Sequence, residues 1–124
     1  MTIYLTAMDL RIIADMESLA PTRDQGLLEG AAGRPTVTMF GDDLYPTLAL
    51  KAAALMHGII TSHPLIDGNK RLGWLACVVF LGRNRVAVNA KPDDAFDLVI
   101  AVATHELKTV EEIATVLIGW MEPA

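Results

Sequence analysis

The sequence predicts an all-α protein: a single compact bundle of roughly six helices around a buried central pair, with one small extended flap. Three observations lead there. Capping residues stand before most of the apolar stretches, and glycine or proline breaks follow several of them. The segments LALKAAALMHGII and WLACVVFL are apolar nearly all round, which places both at the centre. PTVTMFGDD, by contrast, alternates and then turns, as a strand or small hairpin does. The length of 124 residues suits one domain, residues 1–124.

The elements follow in order. Thr6 with Asp9 makes an acidic capping box for a first helix carrying Leu10, Ile13, Ala14 and Met16, which should stop before Pro21. Asp24 caps a short second helix to Ala32, and Gly33-Arg34-Pro35 breaks it. The extended flap takes Pro35 to Asp43. Pro46 suits the first turn of a central helix that runs to about Ser62. A second buried helix begins at Asn69 and ends near Arg83, and Val86-Ala87-Val88 is a short extended piece. Pro92, with Asp93 and Asp94 favouring the positive end of the dipole, opens a helix to about Thr104. Thr109 and Glu112 form a capping box for a last helix to Met121.

Composition narrows the function. An apolar fraction of 52% supports a core without metal or disulfide staples. The one cysteine, Cys77, sits in an apolar run as a small core residue, and an unpaired thiol fits a reducing, cytoplasmic setting. A net charge of −5 with no basic stripe argues against direct nucleic-acid binding. The N-terminus lacks the pattern of a secretory signal, and no apolar run approaches the roughly 20 residues of a membrane span.

The chemistry concentrates in HPLIDGNKR, His63 to Arg71, between the two central helices. Pro64 ends the first of them, Gly68 frees the backbone, and Asn69 begins the second. The opening amides of that helix have no internal partner and sit at the positive end of its dipole, so they suit an anion. Lys70 and Arg71 add two cations at a helix end where cations are unfavourable by about 0.3–1 kcal/mol each. A phosphate between them would supply the reason. A loop histidine is ordinarily a surface or capping residue, but His63 stands beside this cradle and imidazole is suited to taking a proton near neutral pH. Asp67 offers an oxygen ligand for Mg²⁺, which takes one or two carboxylates plus phosphate oxygens. Base, hard-metal ligand and anion cradle together point to phosphoryl-group transfer onto a hydroxyl. The P-loop spacing is absent.

This motif resembles the signature of the Fic/Doc family, HxFx(D/A)(G/A)N(G/K)R. The segments GLLEGAAGRP and DLYPTLALKAAALMHGI and the helical tail extend the similarity over nearly the whole chain, towards the death-on-curing (Doc) toxin branch. AMP-transferring members typically carry a second Gly where Lys70 stands, and a further Arg where Trp74 stands. The resemblance therefore implies a toxin of a type II toxin–antitoxin module. It would be a kinase, moving the γ-phosphate of ATP, with Mg²⁺, to a threonine of elongation factor Tu and so halting translation. AMP transfer and a catalytically weak antitoxin-binding module are the alternatives. Carried over, His63 would be the base and Asp67 would bind Mg²⁺ or orient the acceptor. Gly68, Asn69, Lys70 and Arg71 would hold phosphates. Thr36, Val37, Thr38, Met39, Phe40 and Gly41 resemble the target-docking flap. Leu65 replaces the family's Phe, a tolerable swap at an apolar anchor that could loosen the loop and lower activity while leaving the chemistry-bearing residue types intact. The family's inhibitory segment, [S/T]xxxE[G/N], is not found, which implies inhibition in trans by the C-terminal segment of a cognate antitoxin.

The remaining polar residues read as structural. His57 is a semi-buried helix residue without further metal ligands nearby, His105 is a charge near a helix end, and Trp74 and Trp120 are core or interface. Asp42-Asp43 and Asp93-Asp94 are turn and helix-start residues.

Overall fold

The computed structural model describes residues 1–124. Six α-helices form: α1 Ala7–Met16, α2 Gln25–Gly33, α3 Leu48–Ser62, α4 Asn69–Arg83, α5 Pro92–Ala103 and α6 Val110–Ile118. Side-chain caps set most of the starts. Thr6 and Asp9 close a reciprocal box on α1, as do Thr109 and Glu112 on α6, and the Asp24 carboxylate accepts from the Leu27 amide at 3.0 Å. On α3 the cap is Thr47, whose hydroxyl accepts from Leu50. Pro46 thus precedes the helix instead of lying in its first turn, because a threonine oxygen one residue on satisfies the first amides.

The protein is mostly helical but not strictly all-α. Two small antiparallel sheets depart from that expectation, β1 Thr38–Met39 with β2 Asp42–Asp43, and β3 Val86–Val88 with β4 Met121–Pro123. The last helix ends at Ile118, short of Met121. Beyond Gly119 the chain turns back so that Val88 faces Met121 and Val86 faces Pro123. Asn89 donates to the Trp120 carbonyl at 2.8 Å and Ala124 to that of Arg85 at 3.1 Å. Pro123 has no N–H, so it is confined to a sheet edge or an element end. The expected break after α2 is a 3₁₀ turn, Arg34–Thr36, which leads into the flap.

At the centre lie α3 and α4, with α1, α2, α5 and α6 packed around them. Alanines 49, 52, 53, 54 and 76 and the side chains of Leu55, Met56, Ile59, Ile60, Leu72 and Phe80 are buried in one continuous core. Gly73 permits the close crossing of the two helices. A Cβ there would lie 2.7 Å from Ile60 Cγ1. Cys77 is buried in the same core, and burial pushes its thiol up to about 12, so it stays protonated and inert. No helix is long and apolar enough to cross a membrane.

Candidate functional site

The core helices deliver the site. α3 runs out at Ser62, and the chain re-enters α4 at Asn69, so the HPLIDG loop is held at both ends by the most deeply buried pair. His63 is the C-cap of α3 and takes a left-handed conformation, φ 55° and ψ 61°. For a non-glycine residue this costs about 1–3 kcal/mol unless the surroundings fix it. Residues 21–24 do so. The Arg23 guanidinium donates to the carbonyls of His63 at 2.8 Å and Ser62 at 3.0 Å, which also neutralises the negative end of α3. The amides of Arg23 and Asp24 donate to Pro64, and Ile66 donates to Pro21.

The His63 ring is exposed, and its Nδ1 lies 3.2 Å from the Thr61 carbonyl. A carbonyl only accepts, so this bond requires the hydrogen on Nδ1. The neutral ring then presents the Nε2 lone pair as its proton acceptor.

Asn69 closes the loop from inside. Its side chain accepts from the Leu65 amide at 2.9 Å and donates to the Leu65 carbonyl at 3.0 Å. Leu65 itself is 1% exposed. The leucine thus occupies the place of the loop's apolar anchor. It also follows that the Asn69 side chain is committed to the loop, leaving only its backbone amide to face a ligand.

Gly68 is the N-cap of α4 at φ 94°, with no side chain to accept from the first amides. A Cβ at Gly68 would meet the Leu19 side chain at 3.1 Å, so both the backbone twist and the close approach favour glycine. The amides at the start of α4 thus point outwards uncapped, with the helix dipole behind them. Lys70 is exposed and has no ion-pair partner, while Arg71 donates to Glu17 Oε1 at 3.0 Å. That pair is exposed, so water screens it, and a more highly charged anion can displace the carboxylate. Asp67 accepts from the Gly68 amide through Oδ1 at 2.8 Å, leaving Oδ2 available. One carboxylate beside an uncapped helix start fits Mg²⁺, which takes one or two carboxylates together with phosphate oxygens and water. No group of three or more His, Cys, Asp or Glu is placed to hold a metal by protein alone.

Asp67 to Arg71 line one end of a cavity of about 590 Å³, whose other walls include Trp74 of α4 and Ala95, Phe96 and Val99 of α5. Phe96 is 62% exposed, unusual for so large an apolar side chain. Trp74 packs edge-on against Trp120, ring centroids 6.2 Å apart. His63 is not part of the cavity wall.

The flap stands apart from the loop in sequence but shares α3 with it. β1 and β2 pair Thr38 with Asp43 and Met39 with Asp42 across a turn at Phe40 (φ 52°) and Gly41 (φ 85°), the positive-φ pair of a type I′ hairpin. Phe40, at its tip, is 99% exposed. Of the six residues matched to a docking flap, Thr36 lies in the 3₁₀ turn and Val37 joins it to the hairpin formed by the rest. Both legs are tied to α3. Arg34 donates to Nδ1 of His57 on one side. On the other, the buried Lys51 donates to Asp43 Oδ2 at 3.0 Å and to the Tyr45 carbonyl, with its ammonium 5.9 Å from the centre of the Tyr4 ring. Burial, then the neighbouring Arg34 and His105, holds His57 below the usual imidazole range.

The structure therefore brings His63, Asp67, Gly68, Asn69, Lys70 and Arg71 onto one loop and helix start. Sequence reasoning missed Arg23, Glu17, Lys51 and Phe96. Each meets the site from a distant part of the chain. Only Lys51, a lone cation inside an apolar helix, carried a local signal, and Asp43, read as a turn residue, proved to be its partner.

Known proteins resemble this chain over most of its length. A family model described as the Fic/DOC family matches residues 4–81. A protein named Toxin Doc from Mycolicibacterium smegmatis (strain ATCC 700084 / mc(2)155) is 43% identical over 104 residues, covering 82% of this chain and 79% of that protein.

Proposed function

The chain belongs to the Fic/DOC family, a family of transferases, and from that premise we propose that it is the toxin of a toxin–antitoxin module, acting as a Mg-ATP-dependent kinase on a protein hydroxyl. The observation that carries the reading is the uncapped start of α4. Free amides, Lys70 and Arg71 meet there, one loop away from an imidazole whose Nδ1 is already committed. In the reaction the acceptor oxygen forms a bond to the terminal phosphorus of ATP while the bond from that phosphorus to the bridging oxygen breaks, and ADP leaves. Nε2 of His63 takes the hydroxyl proton. The α4 amides, Lys70 and Arg71 stabilise the phosphate charge, and Arg71 exchanges Glu17 for phosphate oxygens. Mg²⁺ held by Asp67 would offset the negative charge of the phosphates.

Lys70 favours transfer of phosphate over AMP. A lysine side chain occupies room that glycine would leave open, so the nucleotide is expected to lie in the orientation that presents its terminal phosphate. The exposed hairpin, with Phe40 at its tip, is the docking element for the protein substrate, which can add as a strand to its edge. The substrate we propose is elongation factor Tu, through a threonine. A cognate antitoxin would restrain the enzyme through its C-terminal segment.

Intact-mass analysis of elongation factor Tu after incubation with the protein, Mg²⁺ and ATP tests the reading. One added phosphate is expected, and none with His63→Ala. One added AMP would replace the kinase with an adenylyltransferase. No addition, alongside antitoxin binding that is indifferent to His63→Ala, would leave a binding module in place of the enzyme.

A further inference from the structure

Residues 19–23 cross the motif loop in the opposite direction. Leu19 lies against Gly68, Pro21 accepts from the Ile66 amide, and the Arg23 amide donates to the Pro64 carbonyl at 2.7 Å. This strap ends at the proposed base. The Arg23 side chain is exposed, yet it places two donors on backbone oxygens, those of His63 at 2.8 Å and Ser62 at 3.0 Å. A helix leaves its last carbonyls without partners of its own, so these oxygens at the end of α3 need an outside donor. The guanidinium is a rigid planar fork that can hold two neighbouring oxygens in fixed geometry, whereas a lysine ammonium is a mobile point of charge.

We infer that Arg23 is the positioning residue of His63 and sets, through the backbone, which ring nitrogen is left to accept a proton. The inference rests on the role of His63 as base proposed above. The chain of contacts is short. With the Ser62 and His63 carbonyls held, His63 keeps its left-handed turn at φ 55°. That turn brings Nδ1 back to the Thr61 carbonyl at 3.2 Å, and this bond fixes the hydrogen on Nδ1 and leaves Nε2 free. The ring is exposed and has no packing to hold it otherwise. Arg23 itself touches no reacting atom. Its cation sits at the end of α3 and not at the start of α4, so it acts on proton transfer and not on nucleotide binding.

The test compares the full chain as wild type, Arg23→Ala and Arg23→Lys in two measurements. The first reads the His63 ring directly, by nitrogen NMR of protein labelled at histidine, at about pH 8, where a free imidazole is neutral. Wild type should show the Nδ1–H tautomer at His63. Arg23→Ala should move His63 towards the tautomer mixture of a free ring while His57 and His105 stay as they are, and Arg23→Lys should fall between. The second measurement is transfer from Mg-ATP to elongation factor Tu. Arg23→Ala should lower kcat by about tenfold to a hundredfold, the scale of a misplaced catalytic group. KM for ATP should not change, the melting temperature should stay near wild type because the side chain is exposed, and Arg23→Lys should recover part of kcat. A His63 tautomer that is the same in Arg23→Ala as in wild type would overturn the inference. So would a raised KM for ATP at unchanged kcat, which would place Arg23 at the nucleotide, or a loss of rate matched by a loss of melting temperature, which would make it a structural clamp. If wild type transfers no phosphate, the kinase reading falls, and the ring signals still decide whether Arg23 sets the His63 tautomer.

Discussion

Asn69 shows how one side chain can be structural inside a motif read as catalytic. Its amide group uses one donor and one acceptor on the two backbone groups of Leu65, and it is 6% exposed while doing so. Replacing it with alanine leaves a buried N–H and a buried C=O without partners, each costing about 1–3 kcal/mol. Asn69→Ala should therefore lower unfolding stability by about 2–6 kcal/mol. It should also let the loop relax, so that His63 loses its fixed position and the proposed transfer falls. A urea midpoint equal to wild type would show that water replaces these bonds and that the loop is not pinned from within. Arg71 is the contrasting case. Its partner Glu17 is exposed, so their pairing adds little to stability, and under the proposed function its contribution is the cation it keeps at the start of α4.

At the scale of elements, α3 is the common support. It carries His63 at its end and ties both legs of the flap, through His57 to Arg34 and through Lys51 to Asp43 and Tyr45. Lys51→Met keeps the buried volume and removes the tie. Asp43 is half exposed and can return to water, so the core should tolerate the change. The hairpin should not. The Leu44 amide, bonded to the Val37 carbonyl at 2.9 Å, should exchange with deuterium roughly tenfold faster while amides within α4 keep their protection. Unchanged exchange at Leu44 would mean that the hairpin holds itself. Much of this level was legible in the sequence, since Thr6, Asp24 and Thr109 announce their helices locally and Gly68 marks the α4 start. The β3–β4 pair was not, because strands of three residues have too little period to register and their pairing joins distant segments. Nor was the α5 wall of the cavity. Phe96 reads as an ordinary apolar helix residue until the fold sets it opposite Lys70 and Trp74.

At the scale of the whole molecule, pH acts through groups whose ionisation differs between folded and unfolded chains. His57 is held below the imidazole value of 6.5, first by burial and then by Arg34 and His105. Below that value the unfolded chain gains a proton that the folded chain resists, so stability falls as pH drops beneath about 6.5 and levels off below the folded value. Asp9 and Glu112 work in a different window. Hydrogen bonds from the cap backbone hold both below their ordinary carboxylate values, so their contribution is present above those values and disappears only as pH falls through the lower folded ones. A melting profile should therefore show a first decline attributable to His57 and a second, more acidic one attributable to the caps. His57→Gln should flatten the first decline and leave the second in place. Because His57 accepts from Arg34 at the root of the flap, the first decline should coincide with faster amide exchange in the hairpin, since a protonated ring can no longer accept that bond. If His57→Gln and wild type lose stability in parallel from neutral to mildly acidic pH, another group carries the transition and His57 does not link pH to the flap.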